Sequence, residues 1–226
     1  LGSLYLNGDG IAKDLEKAFK LFDKACNGQN MAGCHGLGAI YFYGSGVARN
    51  YKKAGSLFKK ACENGYFYAC ETLGGMYYNG EGISVDYKKA HYFYALACNN
   101  KIFSSCNSVG FMYYNALGVE KDCNKAAEFY EKSCDNGVVA SCSNLAFLKL
   151  KGECVPKDSR KAVSLYKKAC DGGFIEACYN LGSLYFSGEG LYKDSKKAFD
   201  IWKSCCEAGM QIACDALNTH NNTQQE

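Results

Sequence analysis

Two cysteines eight residues apart, one on each side of a helix-breaking turn, return along this chain at a fixed interval. They stand at Cys26/Cys34, Cys62/Cys70, Cys98/Cys106, Cys134/Cys142, Cys170/Cys178 and Cys206/Cys214, each pair 36 residues after the last, without insertion or deletion. A period of this size marks a supersecondary unit that buries its apolar face only by stacking on copies of itself. The 226 residues are therefore counted in stacked units rather than in globular domains. The sequence predicts a single solenoid over residues 1–218, about six repeats with the first truncated, and then a polar tail over residues 219–226.

Each unit reads as two helices. In the third copy the first runs from about Phe67 to Asn79, with Leu73, Gly74 and Tyr77 at helical spacing. Gly80-Glu81-Gly82 ends it, and Gly8-Asp9-Gly10, Gly44-Ser45-Gly46 and Gly188-Glu189-Gly190 are matching turns. Asp14, Asn50, Asp86, Asp122, Asp158 and Asp194 then fall where a helix N-cap belongs. A second helix follows, for example Tyr51 to Asn64, with Ala54, Leu57, Phe58 and Ala61 on one stripe and Lys59-Lys60 at its negative end. Gly38, Gly74, Gly110 and Gly182 recur mid-helix. Glycine costs a helix about 1 kcal/mol against alanine, so its return argues for tight helix packing. An all-α solenoid follows.

The net charge of +3 is too small to point to nucleic acid, and the repeating Lys-Lys doublets read as a solvated outer face. No apolar run reaches the length of a membrane span. Fifteen cysteines fit an oxidising compartment better than a reducing cytosol. Leu1-Gly2 matches Leu37-Gly38 and Leu73-Gly74, so the chain opens inside a repeat, and an export signal and a further repeat are expected upstream.

One cysteine of each pair closes a second helix and the other opens the next first helix. A short turn between antiparallel helices brings such positions face to face, so six bridges within hairpins are expected: Cys26–Cys34, Cys62–Cys70, Cys98–Cys106, Cys134–Cys142, Cys170–Cys178 and Cys206–Cys214. The competing reading is a metal site, but C-x-x-C ligand spacings do not occur; no metal and no cofactor are expected. Three cysteines lie outside the pattern. Cys205 takes the column of Ala25, Ala61, Ala97 and Ala169 and reads as a buried free thiol. Cys123 and Cys154 form a candidate seventh bridge, against free thiols or pairing with another molecule.

The string Ala-Cys-x-x-Leu-Gly-x-x-Tyr, Gly-x-Gly, Lys-Asp, Lys-Ala and Lys-Ala-Cys, clearest from Ala177 through Cys214, resembles the SEL-like repeats, relatives of the tetratricopeptide repeats. The 36-residue period with a cysteine pair per unit is similar to that of the Helicobacter cysteine-rich proteins, secreted members of that family. The pattern departs at Asn115-Ala116-Leu117-Gly118 and at Gly152-Glu153-Cys154. The resemblance implies a right-handed superhelix of helix-turn-helix repeats with a concave groove, and a secreted or periplasmic address. It also implies two functional labels: a host-interacting or scaffold protein, and a penicillin-binding protein or slow β-lactamase.

A serine β-lactamase combines Ser-x-x-Lys with Ser-Asp-Asn and Lys-Thr-Gly. Ser56-Leu57-Phe58-Lys59 and Ser164-Leu165-Tyr166-Lys167 supply the first, but in a column where lysine belongs to the repeat, and the other two are absent from the sequence. His35, His91 and His220 are far apart in the chain. No recognisable catalytic set emerges, and enzyme activity stays the alternative. By similarity to tetratricopeptide stacking, the first helices line the concave face. One inward column then reads His35, Glu71, Asn107, Ser143, Tyr179, and another Tyr43, Asn79, Asn115, Lys151, with an aromatic stripe Phe42, Tyr78, Tyr114, Phe186 between them. Phe42 and Phe186 serve equally well as core between repeats. Asparagine amides both donate to and accept from an extended backbone, and tyrosines give contact area at low entropic cost. The candidate ligand-groove residues are thus His35, Tyr43, Glu71, Tyr78, Asn79, Asn107, Tyr114, Asn115 and Tyr179. The expected partner is a peptide or protein, with a peptidoglycan fragment or a host protein as particular cases, and the chain is expected to be a monomer.

Overall fold

A computed structural model describes residues 1–222 apart from Cys154, with only the backbone described at 220–222. The described residues form thirteen α-helices and no strand. Two compact units are present, Leu1–Lys121 and a second from Asp122 onward. The first holds α1 (Gly2–Asn7), α2 (Leu15–Asn27), α3 (Met31–Tyr43), α4 (Tyr51–Glu63), α5 (Phe67–Asn79), α6 (Tyr87–Asn99) and α7 (Phe103–Asn115). The second holds α8 (Cys123–Asp135), α9 (Val139–Lys151), α10 (Ser159–Asp171), α11 (Ile175–Ser187), α12 (Ser195–Glu207) and α13 (Gln211–Asn222). Within each unit helices pack mainly on their neighbours in the chain, as in an α-solenoid.

The six expected N-caps all form. Asp14 and Asp86 accept from the backbone N–H of Lys17 and Lys89 at 2.9 and 3.0 Å, and Asn50 does the same for Lys53. Those amides hold the Asp14 and Asp86 carboxyls below the usual carboxylate range. The same three lysines lay their ammonium groups over Tyr5, Tyr41 and Tyr77 of the preceding helix, at 5.0 to 5.4 Å. In α2, α4 and α6 one lysine therefore meets the cap and ties the second helix to the first. At the far end of α7, Ala116 takes the left-handed conformation with φ 56°, where Gly80 serves at the same step after α5 with φ 74°. The departure from Gly-x-Gly keeps the turn and puts a side chain into a region that glycine enters more cheaply.

The mid-helix glycines have a direct cause. A β-carbon at Gly38 would fall 2.7 Å from the Phe58 ring, one at Gly74 2.8 Å from Tyr94, and one at Gly182 2.7 Å from the Trp202 indole nitrogen. The second helices α4, α6 and α12 thus each lay an aromatic ring on the bare backbone of the first helix before them. Phe58 and Trp202 are 1% and 3% exposed, so the aromatic column is core.

All six expected disulfides are present, with Cα separations of 4.4 to 4.8 Å. Each joins the last turn of a second helix to the first turn of the next helix. Cys123 is also disulfide-bonded. Its expected partner, Cys154, lies outside the described residues. Cys205 is a buried free cysteine, its sulfur 3.9 Å from the Ile175 carbonyl, and burial pushes its thiol pKa up. It is expected to resist iodoacetamide in native protein and to react once denaturant is added; fast native labelling would show that this end of α12 is open. At the C-terminus α13 runs to Asn222, past Thr219, whose hydroxyl donates to the Asp215 carbonyl at 2.8 Å. Residues 223–226 of the expected tail lie outside the described residues.

Candidate functional site

In the first unit side-chain bonds join α3 to α5 and α5 to α7. His35 on α3 lies 3.1 Å from the Thr72 hydroxyl on α5, and that hydroxyl donates onward to the Tyr68 carbonyl at 3.0 Å. Thr72 has a single proton, so His35 Nε2 must be the donor, which assigns the tautomer. The His35 ring is half-buried against Phe58 and Tyr66, and burial lowers its pKa, which keeps it neutral. Glu71 on α5 accepts from Ser104 and, at 3.2 Å, from Ser105 of α7. His35 and Glu71, two of the expected groove residues, are therefore also ties between repeats.

The remaining candidates of this unit are more open. Tyr43 is 74% exposed and meets Phe42 edge-on at 5.0 Å. Asn79 is exposed, with only a long 3.4 Å contact from its amide to Glu81. Asn115 is exposed too, and its amide nitrogen donates to the Phe111 carbonyl one turn back at 2.9 Å. Among the described residues neither amide oxygen accepts a hydrogen bond, which leaves both open to a ligand backbone. Tyr78 meets Tyr87 and Phe111 edge-on, and Lys121 sits 5.3 Å over the Tyr114 ring.

Between Tyr78 and Asn107 lies a recess of about 120 Å³ that also takes in Tyr94, Ser108 and Phe111. Tyr94 belongs to α6. Its ring crosses α5 over the bare Gly74, so its hydroxyl arrives on the face of the first helices. Burial, followed by the nearby Glu71 charge, pushes its pKa up to about 12, so the phenol keeps its proton as a donor. Neither Tyr94 nor Phe111, which is 40% exposed, stood out in the sequence. The glycine column set against the aromatic column twenty residues on was the available signal. A wider recess of about 590 Å³ lies further toward the N-terminus, where Ser3, Ala32, Gly36 and Ala39 leave room beside His35 and Tyr66.

In the second unit Ser143 is buried, and Tyr179 is half-buried with its carbonyl accepting from the Trp202 indole at 3.2 Å. Lys151 lays its ammonium over Phe147 at 5.8 Å. Phe42 packs on Tyr51 and Phe58, and Phe186 on Phe199 and Trp202, so both members of the aromatic stripe that had a core reading take that role. Ser56 donates to its own helix at the Lys53 carbonyl, 2.8 Å away, and Lys59 pairs with Glu63 at 3.7 Å. Among the described residues no cluster of three His, Cys, Asp or Glu stands ready for a metal ion, and no helix is long and apolar enough to cross a membrane.

Hairpins that repeat in register, each capped and stapled, define a helical-repeat protein. The Sel1 repeat model matches residues 1–30, 32–66, 68–101, 104–138, 139–174 and 175–210, and the chain belongs to the Sel1 repeat family. Among solved structures it is similar to a protective antigen of uropathogenic Escherichia coli strains displaying an SLR fold, at 29% identity and a TM-score of 0.90. That match covers 96% of this chain and 46% of the antigen, so the chain spans a little under half of its length. A Sel1 repeat protein from Oxalobacter formigenes matches at 29% identity and a TM-score of 0.83, over 92% of this chain and 85% of its own. Helicobacter pylori cysteine rich protein B is 30% identical over 59% of this chain and 96% of its own, with a TM-score of 0.48. No curated protein matches the sequence. The Sel1 repeat fold suggests a scaffold for protein–protein interaction, and this chain's disulfides point to an oxidising extracellular or periplasmic environment.

Proposed function

We propose that the chain is a secreted or periplasmic interaction module, working as a monomer, that receives an extended peptide segment of a protein partner along the exposed faces of α3, α5 and α7. The observation that carries this is the pair Asn79 and Asn115, exposed one repeat apart beside the recess of Tyr78, Tyr94, Asn107 and Phe111. An extended strand presents alternating N–H and C=O groups, and an amide side chain answers either one. Tyr78 and Phe111 add rigid apolar area for its side chains. A surface occupied by carboxylates or ammonium groups alone would select by charge; this one selects by backbone.

The test uses a peptide selected on the wild-type chain from a displayed library of unstructured sequences. Asn79→Ala with Asn115→Ala removes two hydrogen bonds worth about 0.5–1.5 kcal/mol each, so affinity is expected to fall about ten-fold or more. The unfolding midpoint should barely move, and Lys24→Ala with Lys88→Ala should bind as the wild type does. A double asparagine variant that melts early yet binds normally per folded molecule would make these amides structural. A muropeptide that outcompetes the selected peptide would assign the face to a glycan strand instead.

A further inference from the structure

On the second helices one column reads Phe19, Gly55, His91, Ala127, Val163, Phe199. Where it holds a ring in the first unit, the ring stands edge-on against the tyrosine of the next first helix. Phe19 meets Tyr41 with centroids 5.9 Å apart and planes at 84°, and His91 meets Tyr113 at 5.2 Å and 85°. The hairpin between these two has Gly55 opposite Tyr77 and supplies no ring. A β-carbon on Gly55 would meet only the Met76 methyl group, at 3.7 Å. Tyr77 stacks flat on Phe93 instead, at 5.7 Å and 3°. What is left is an open recess of about 340 Å³ with Leu73, Tyr77 and Phe93 among its walls. Leu73 and Phe93 are buried, so the floor is apolar core rather than a surface dimple. Lys52, Ser56 and Lys59 of α4 line the same recess. Their i, i+4, i+7 spacing sets two ammonium groups on one stripe, with the hydroxyl between them.

We propose that this recess is a binding site for a small aromatic carboxylate. The guest ring takes the slot that Phe19 and His91 fill in their own hairpins, edge-on to Tyr77, and its carboxylate meets Lys52 and Lys59. The volume falls in the range of small-molecule sites, and an apolar floor with a few polar groups at the mouth is their usual composition. Among the described residues the one acid that engages these lysines, Glu63, reaches Lys59 at 3.7 Å with both side chains more than half exposed, a pair weak enough for a guest carboxylate to displace. The site lies on α4, α5 and α6, away from the peptide face, and does not depend on that reading.

Titration of the isotope-labelled full chain with 3-phenylpropanoate, followed by amide NMR, tests it. Saturable shifts are expected at Gly55, Tyr77 and Gly82, with a dissociation constant of about 1 mM or tighter. The neutral 3-phenylpropan-1-ol should bind about three- to ten-fold more weakly, and Lys52→Gln with Lys59→Gln should erase that difference. Gly55→Phe, which installs the residue the column holds at position 19, should remove the shifts while the helical signal stays. Absence of saturable shifts at these residues overturns the proposal. So does a folded Gly55→Phe chain that binds as before. Should Gly55→Phe not fold, a lysine variant that binds the acid as tightly as the wild type overturns it too.

Discussion

Reduction of the disulfides is expected to unfold the native chain without heat or denaturant. Each bridge closes a loop between cysteines eight residues apart, worth about 2.5 kcal/mol in the chain-entropy account. Six such bridges amount to about 15 kcal/mol, as much as or more than the whole stability of an ordinary domain, about 5–15 kcal/mol. The arrangement sharpens the effect. A hairpin in a solenoid contacts only its neighbours, so no distant core compensates when one staple opens. Helices of 13 residues, such as α4 and α5, are also marginal alone in water. Far-ultraviolet circular dichroism with and without a thiol reductant should show the helical signal collapse in the reduced sample. A single local loss, Cys62→Ala with Cys70→Ala, should lower the unfolding free energy by about 2.5 kcal/mol. An unchanged midpoint in the reduced chain would mean that helix packing alone holds the stack.

Why the helices, caps and bridges could be read in advance, and the ligand surface only in outline, is a matter of what a column average contains. Asp86 caps α6 because any Asp, Asn or Ser there meets the same backbone amide, so the repeat settles the role. Cys62 and Cys70 are bridged because hairpin geometry is the same in each copy. Side chains on the binding face behave otherwise. Glu71 and Asn107 share a column, yet Glu71 is taken up by Ser104 and Ser105, while Asn107 lines a recess. Ser143 of that column is buried. The role of each depends on what its particular neighbours offer, which the period does not encode. Tyr94 shows the limit most clearly: it sits on a second helix, in a core column, and reaches the other face only because Gly74 has no side chain.

Gly182→Ala is expected to destabilise the second unit by about 2 kcal/mol, although alanine is the better helix former by about 1 kcal/mol. The added methyl group would stand 2.7 Å from the Trp202 indole nitrogen and 3.4 Å from the Ala198 carbonyl. The indole has little freedom to retreat. It is 3% exposed, ringed by Tyr179, Phe186 and Phe199, and its N–H is committed to the Tyr179 carbonyl at 3.2 Å. Ala146 stands at the same register twenty residues before Tyr166, so the column admits a methyl group where the opposing ring is placed to receive it; at Gly182 the indole is not. Gly75→Ala is the matched control: its β-carbon would lie 3.6 Å from the Tyr94 hydroxyl, an ordinary contact, and Ala39 already occupies that column one repeat earlier. That substitution should gain about 0.5–1 kcal/mol by removing backbone freedom from the unfolded chain. Urea unfolding measures both changes, and Trp202, as the only tryptophan, reports the second unit by its own fluorescence. If Gly182→Ala instead raises the midpoint as Gly75→Ala does, the indole moves freely, and close packing of rings on bare backbone is not what the recurring glycines are for.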